Sequence, residues 1–289
     1  MAHQLSPALR SENTYSLPVK TDRFAPSQER PQRTQALMRK FEIATLLPCG
    51  DARTSHHLAP ATDLFEATCS AFARGALIST PMGPVAIEDL YPGDLVDTVD
   101  GDPMPVTWIG STSFVPAQAL PTSSLKGLIR LVADGYSNSS ALGDLLLGQN
   151  ARLLQSSPAL KEKIGVGAVL TPVRDLEDGF SAFLISPPSP VRLFHIRTAK
   201  HAAVYANGRA VETYHPGKGV EDLLGNNIRS LFLSLFPDID KFEDFGALAY
   251  PRMSKDTLES LTLNSVTLTG LSALQAHQTE PRAHLLHRE

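Results

Sequence analysis

From Phe72 onward the chain runs as short apolar stretches cut by turn chemistry: "ALIST" before "PMGP", "VAIEDL" before "YPGD", "LVDTV" before "DGDP", then "PVTWIG". Successive turns fall about ten residues apart, which predicts a mainly β domain with tight connections rather than long helices. Pro92-Gly93-Asp94 suits a type II turn with Gly93 at the positive-φ position, and Asp100-Gly101 suits a two-residue hairpin. A second β block is expected at "LIRLVA" (128–133), "LLLGQNARLL" (145–154) and "VGAVLTP" (166–172). Then "VRLFHIRT" is followed by "HAAVYANGRAVETY", where Asn207-Gly208 between two alternating runs is the strongest hairpin signal in the sequence. Trp108 lies at strand spacing and is expected in the core.

The flanks read differently. Residues 1–66 form a polar, proline-bearing arm whose "APSQERPQRTQ" cannot bury much surface and is expected to be partly disordered. Within it, "TQALMRKFEIATLL" sets Leu37, Met38, Phe41, Ile43, Leu46 and Leu47 near helical spacing, which suits a short helix or a segment packing on the main domain. Beyond Gly219, "VEDLLGNNIRSLFLSLFP" gathers Leu223, Leu224, Ile228, Leu231, Phe232 and Leu235 near one helical face, with Pro237 as a stop. A further helix is expected to begin at Ser254 as N-cap, followed by a loose tail. The expected organisation is an arm (1–66), a β domain (67–219) and a helical extension (220–289).

Composition narrows the function classes. A net charge of −4 offers no broad positive field, so nucleic acid is not an expected partner. No apolar run reaches signal-peptide or membrane-helix length, so a soluble chain without membrane contact is expected, cytoplasmic by default. Two cysteines, Cys49 and Cys69, do not make a disulfide framework in a chain of 289 residues. His195, His201 and His215 lack the ligand spacing of a metal motif, and Asp94, Asp97, Asp100 and Asp102 lack the order of a calcium loop. No metal or cofactor is expected.

The stretch "AFARGALISTPMGPVAIEDLYPGDLVDTVDGDPMPVTWIG" resembles the opening of bacterial Hint domains, the Hedgehog/intein fold, which typically begin Cys-Phe-x-x-Gly-Thr-x-Ile and continue through "VEDLxPGDLV" to "VxWIG". "LTPVRDL" and "LFHIRTAKHAAVYANGRAVETYHPG" resemble later segments of the same family, so the resemblance runs from Ala71 to about Gly219. It implies a horseshoe of antiparallel strands with a small helical C-terminal extension here. It also implies a reactive cysteine at the start of the first strand, whose thiolate attacks the carbonyl before it to give a thioester. A Ser or Thr followed three residues later by His polarises the scissile amide and protonates its nitrogen.

Anchored on "FARGALI", the family's cysteine position is occupied by Ala71. Anchored on "DLLLGQNARLL", where Asp144, Leu145, Arg152 and Leu154 match Asp-Leu-x-x-Ser-Pro-x-His-Arg-x-Leu, the Ser falls on Gly148 and the His on Ala151. His201 matches a histidine common in this branch. The resemblance therefore implies a degenerate member without self-cleavage, a vestigial site at Ala71, Gly148 and Ala151, and a scaffold or partner-binding role. Cys69, two residues early, is the candidate for a shifted register with His201 as proton donor. Extended chain displaces its sulfur by roughly 7 Å from the family position, whereas attack needs about 3–3.5 Å. A β-rich substrate-binding domain acting in trans is the reading from another class.

Overall fold

A computed structural model describes residues 37–116, 125–133 and 142–261. The mainly β, antiparallel class expected from the turn spacing holds, as two sheets. The larger sheet contains β1 (Met38–Leu46), β2 (Ala52–Pro60), β3 (Phe72–Ala73), β6 (Leu95–Val96), β7 (Met104–Phe114), β8 (Leu128–Leu131), β9 (Leu145–Gly148), β12 (Ala182–Ile185) and β13 (Val191–Thr198). Its order is β12-β8-β9-β3-β13-β7-β1-β2, with β6 pairing β7 off this path. The second sheet runs β11-β10-β15-β14-β4-β5, built from β4 (Leu77–Ile78), β5 (Val85–Ala86), β10 (Arg152–Ser156), β11 (Ala168–Pro172), β14 (Ala203–Ala206) and β15 (Arg209–Glu212).

Two clusters of apolar side chains hold these layers. The first joins residues of both sheets, among them Phe72, Ile129 and Leu147 from the larger and Ile78, Val204 and Val211 from the second. The other is aromatic: Phe41, Phe65 and Trp108 pack with Tyr214, Phe232 and Phe236. Trp108 is fully buried, stacks on Phe236 at 4.7 Å between ring centres, and donates from Nε1 to the Leu235 carbonyl at 2.7 Å. The indole is thus satisfied at its polar end while its rings fill the core.

Several local expectations meet their geometry. Asn207 (φ 46°) and Gly208 (φ 75°) both occupy the left-handed region that a two-residue hairpin demands, and β14 and β15 pair on either side of them. Gly93 has φ 106°. Asp100-Gly101, in contrast, is not a two-residue hairpin: β6 and β7 pair Val96 with Met104, so the connection is longer, and Gly101 closes a turn onto the Thr98 carbonyl.

The largest difference concerns residues 38–60. No helix forms there; β1 and β2 make an antiparallel hairpin, and β1 adds to β7 with Ile43 opposite Gly110. Phe41, Ile43 and Thr45 are buried at every second position, which is strand alternation that the extra apolar residues Leu37, Met38 and Leu46 blur into an apparent helical period. The second half of the expected arm is therefore part of the same sheet as the strands beyond residue 67. The expected disordered stretch "APSQERPQRTQ" and the tail lie outside the described residues.

In the extension, the expected long helix is broken up. A single 3-10 turn at Glu221–Leu223 precedes α3 (Asn226–Leu233), the third helix after the four-residue α1 (Asp63–Glu66) and α2 (Pro158–Ile164). Gly225 with extended backbone interrupts the run, leaving Leu223 84% exposed while Phe232 and Leu235 are buried. Residues 255–261 are helical, and the Ser254 hydroxyl accepts the Thr257 N–H at 3.4 Å, as its N-cap role requires. The expected continuation of that helix beyond 261 lies outside the described residues. Among the described residues no helix is long and apolar enough to cross a membrane.

Candidate functional site

Ala71, Gly148 and Ala151 are brought together by the pairing of β3 with β9. The Gly148 N–H donates to the Ala71 carbonyl at 2.9 Å, and the Ala151 N–H donates to the Gly148 carbonyl at 3.0 Å across the turn into β10. The Ala71 N–H donates in turn to Phe194 of β13 at 2.9 Å. Ala71 and Ala151 are both buried within the core between the sheets. Gly148 approaches the Ser70–Ala71 peptide so closely that a Cβ built on it would lie 1.9 Å from the Ser70 carbonyl oxygen. No side chain fits at 148 with the backbone as it stands, because real Cβ atoms do not approach oxygen that closely. The Ser70 hydroxyl, itself buried, has no hydrogen-bond partner among the described residues.

Cys69 sits on the other side of this strand start, in the aromatic cluster. It is fully buried, its sulfur would lie 2.5 Å from a Cβ on Gly110, and it lies 3.2 Å from the Thr68 hydroxyl. Burial pushes the thiol up to about 12, an effect the Thr68 hydrogen bond only partly offsets. At neutral pH such a group is a thiol rather than the thiolate that nucleophilic attack requires.

The polar chemistry of this region gathers instead around Glu212, at the end of β15. Its Oε1 accepts from His201 Nε2 at 3.0 Å and from Arg252 Nε at 2.8 Å; its Oε2 accepts from Arg152 Nη1 at 3.1 Å. Burial by itself would push this carboxyl up, yet the His201 hydrogen bond and the charges of Arg252 and Arg152 outweigh it and hold it well below the usual carboxylate range. His201 accepts the Ala249 N–H at Nδ1, 2.9 Å away, so its proton is on Nε2 and points at Glu212. His215 is arranged the same way: Nδ1 accepts from Gly217 N–H at 2.9 Å, and Nε2–H donates to the Gly246 carbonyl at 3.0 Å. His195 accepts from Ile196 N–H at Nδ1 and packs edge-on against Phe72 and Tyr214. Burial drags His195 down to about 3 and His215 to about 4.

The three histidines of the sequence reading are therefore neighbours, with the His201 and His215 rings 5.3 Å apart. Each uses a ring nitrogen on a backbone N–H. His201 also has no free nitrogen to offer Cys69. Among the described residues no group of His, Cys, Asp and Glu could hold a metal ion.

Glu212 and Arg252 carried no warning in the sequence, and Arg152 stood out only as a matched position. A partial signal existed. The register fixed by the Asn207-Gly208 turn puts Ala203 opposite Glu212, so His201, two residues further along, shares that face. Nothing local points to Arg252, which arrives forty residues later.

A family model described as a Hint domain matches residues 70–218, just over half of the chain. The chain belongs to the Hint domain family. Among solved structures it is similar to a bacterial intein-like domain from Clostridium thermocellum, with 16% identity over 50% of this chain and 99% of that one and a TM-score of 0.36. It is also similar to the MchDnaB-1 intein, with 13% identity over 50% of this chain and all of that one and a TM-score of 0.32. No curated protein matches the chain.

The Hint domain as matched stops at 218, but the cluster around Glu212 does not. Gly246, Ala249 and Arg252 all come from the segment that follows, and Arg252 Nη2 also donates to the His215 carbonyl at 2.7 Å. The same segment supplies Phe232, Phe236, Phe242 and Phe245 to the aromatic cluster and Asp238 as the partner of Arg197. In this chain the extension completes the hydrogen bonding of His201 and His215.

Proposed function

We propose that this Hint domain does not cleave its own chain and serves as a scaffold that binds a partner. The observation that carries the reading is the environment of the Ser70–Ala71 peptide. The residue following the carbonyl is alanine, Gly148 leaves no space for a hydroxyl-bearing side chain beside the Ser70 oxygen, and Ala151 brings a methyl group where an acid would be needed. An amide is broken by attack at carbon and protonation of its nitrogen. At that bond Ala71, Gly148 and Ala151 supply neither a nucleophile nor an acid.

The shifted register with Cys69 loses support from the same geometry. Its thiol is enclosed by apolar groups with a pKa near 12, and the one acid proposed for it, His201, is committed to Glu212 and Ala249. The test is to express the chain with an N-terminal tag and follow its intact mass with and without added thiol or hydroxylamine. An intact chain in both supports the proposal. Thiol-dependent breakage that disappears in Cys69→Ala overturns it in favour of the shifted register.

A further inference from the structure

Beside Glu212 lies a cavity of about 100 Å³ lined by Asn150, Arg152, His195, Tyr214 and Arg252 together with the carboxylate itself. That volume exceeds the roughly 30 Å³ share of a water molecule in the liquid. It falls well short of the about 300–1,000 Å³ of pockets that take drug-sized molecules. Whatever it accepts has only a few heavy atoms.

The charge around it does not balance. Two guanidinium groups face one carboxylate, and Glu212 has both oxygens engaged: Oε1 by His201 and Arg252, Oε2 by Arg152. The three imidazoles add no negative charge, and each takes a backbone N–H at Nδ1. Both guanidinium groups pair with that one carboxylate, so the cluster carries a net positive charge in a partly buried place, where charge without a full counter-charge is costly. Burial lowers the Arg152 pKa most, Glu212 acts against it by charge and hydrogen bond, and the charges of Arg252 and Arg174 lower it further, so the net shift is downward.

We infer that this cavity binds a small carboxylate. A monoanion cancels the surplus charge, whereas a dianion would overshoot it next to Glu212. Arg252 already gives Nε to Glu212 and Nη2 to the His215 carbonyl, but Arg152 gives Glu212 its Nη1, and its planar guanidinium suits two carboxylate oxygens, which a single-atom anion cannot match. The inference does not depend on whether the chain cleaves itself, since none of the groups used lies at the Ser70–Ala71 bond.

The test is an NMR titration of the full chain at neutral pH with sodium acetate, against sodium chloride and sodium phosphate at equal ionic strength. The His195 ring signals, assigned by difference from His195→Phe, are the readout. A saturable shift with acetate alone, weakened at least tenfold in Arg152→Lys, which keeps the charge near Glu212 but loses the fork, is the expected result. No saturable shift, the same shift with chloride, a preference for phosphate, or undiminished acetate binding by a folded Arg152→Lys overturns the inference. Should that variant fail to fold, the three salts on the unaltered chain decide alone.

Discussion

Two neighbouring regions of the molecule are buried by opposite means. At the Ser70–Ala71 peptide, Ala71, Gly148 and Ala151 present methyl groups or nothing, and the Ser70 hydroxyl has no partner among the described residues. Around Glu212, a carboxylate, two arginines and three histidines are packed together, and the carboxylate and the histidines all have hydrogen bonds. The difference teaches where each kind of burial gets its stability. An apolar locus holds through close packing alone and tolerates no added atoms. A charged locus holds only while all its members are present, because removing one partner strands the others away from water.

The most damaging change to the charged side is therefore expected from Glu212→Ala. It leaves Arg152 and Arg252 facing each other without their shared counter-charge, and a loss of about 3–5 kcal/mol is expected in chemical denaturation. A loss under about 1 kcal/mol would mean that solvent already screens the pair. In the aromatic cluster beside that apolar locus the counterpart is Gly110→Ala. The added methyl would meet the Trp108 ring at 2.2 Å and the Cys69 sulfur at 2.5 Å, so overpacking of about 1–3 kcal/mol is expected by the same measurement.

Acid separates the two regions more finely. Because burial lowers His195 from 6.5 to about 3, the unfolded chain takes up that proton first, and the stability present above pH 6.5 is lost as pH falls toward 3. His195→Phe should flatten the stability-versus-pH curve between pH 6 and 4 by about 1.4 kcal/mol per pH unit. Glu212, held below its usual range, adds its own loss at lower pH, as protonation proceeds below the ordinary carboxylate value and on through the depressed one. An unchanged curve in His195→Phe would show that this histidine titrates alike in both states.

The smallest effect concerns reactivity alone. Cys49 is exposed and Cys69 buried, so a thiol reagent at neutral pH should modify one cysteine of the native chain quickly and the second only after denaturation. Rapid modification of both would put Cys69 outside the packing described.

Much of the fold was legible because turns announce themselves. Asn207-Gly208 and Gly93 require backbone angles few residues adopt, and Trp108 followed strand spacing into the core. The β1–β2 hairpin was hidden because Leu37, Met38 and Leu46 add apolar positions that the sheet leaves partly exposed, masking the alternation of Phe41, Ile43 and Thr45. That Ala71, Gly148 and Ala151 lie together was legible because flanking motifs anchor each of them. The Glu212 cluster could not, since Arg152, Glu212 and Arg252 come from separate parts of the chain and each alone looks like a solvated surface charge. Only tertiary pairing reveals that they share one buried site.

The central claim is that the Ser70–Ala71 region of this Hint domain carries no working cleavage chemistry. The most direct measurement is the intact mass of the purified, N-terminally tagged full chain, followed over days at neutral pH with a strong thiol present. A single species of full mass is the predicted result. Two fragments meeting anywhere between Thr68 and Ala71 would contradict it.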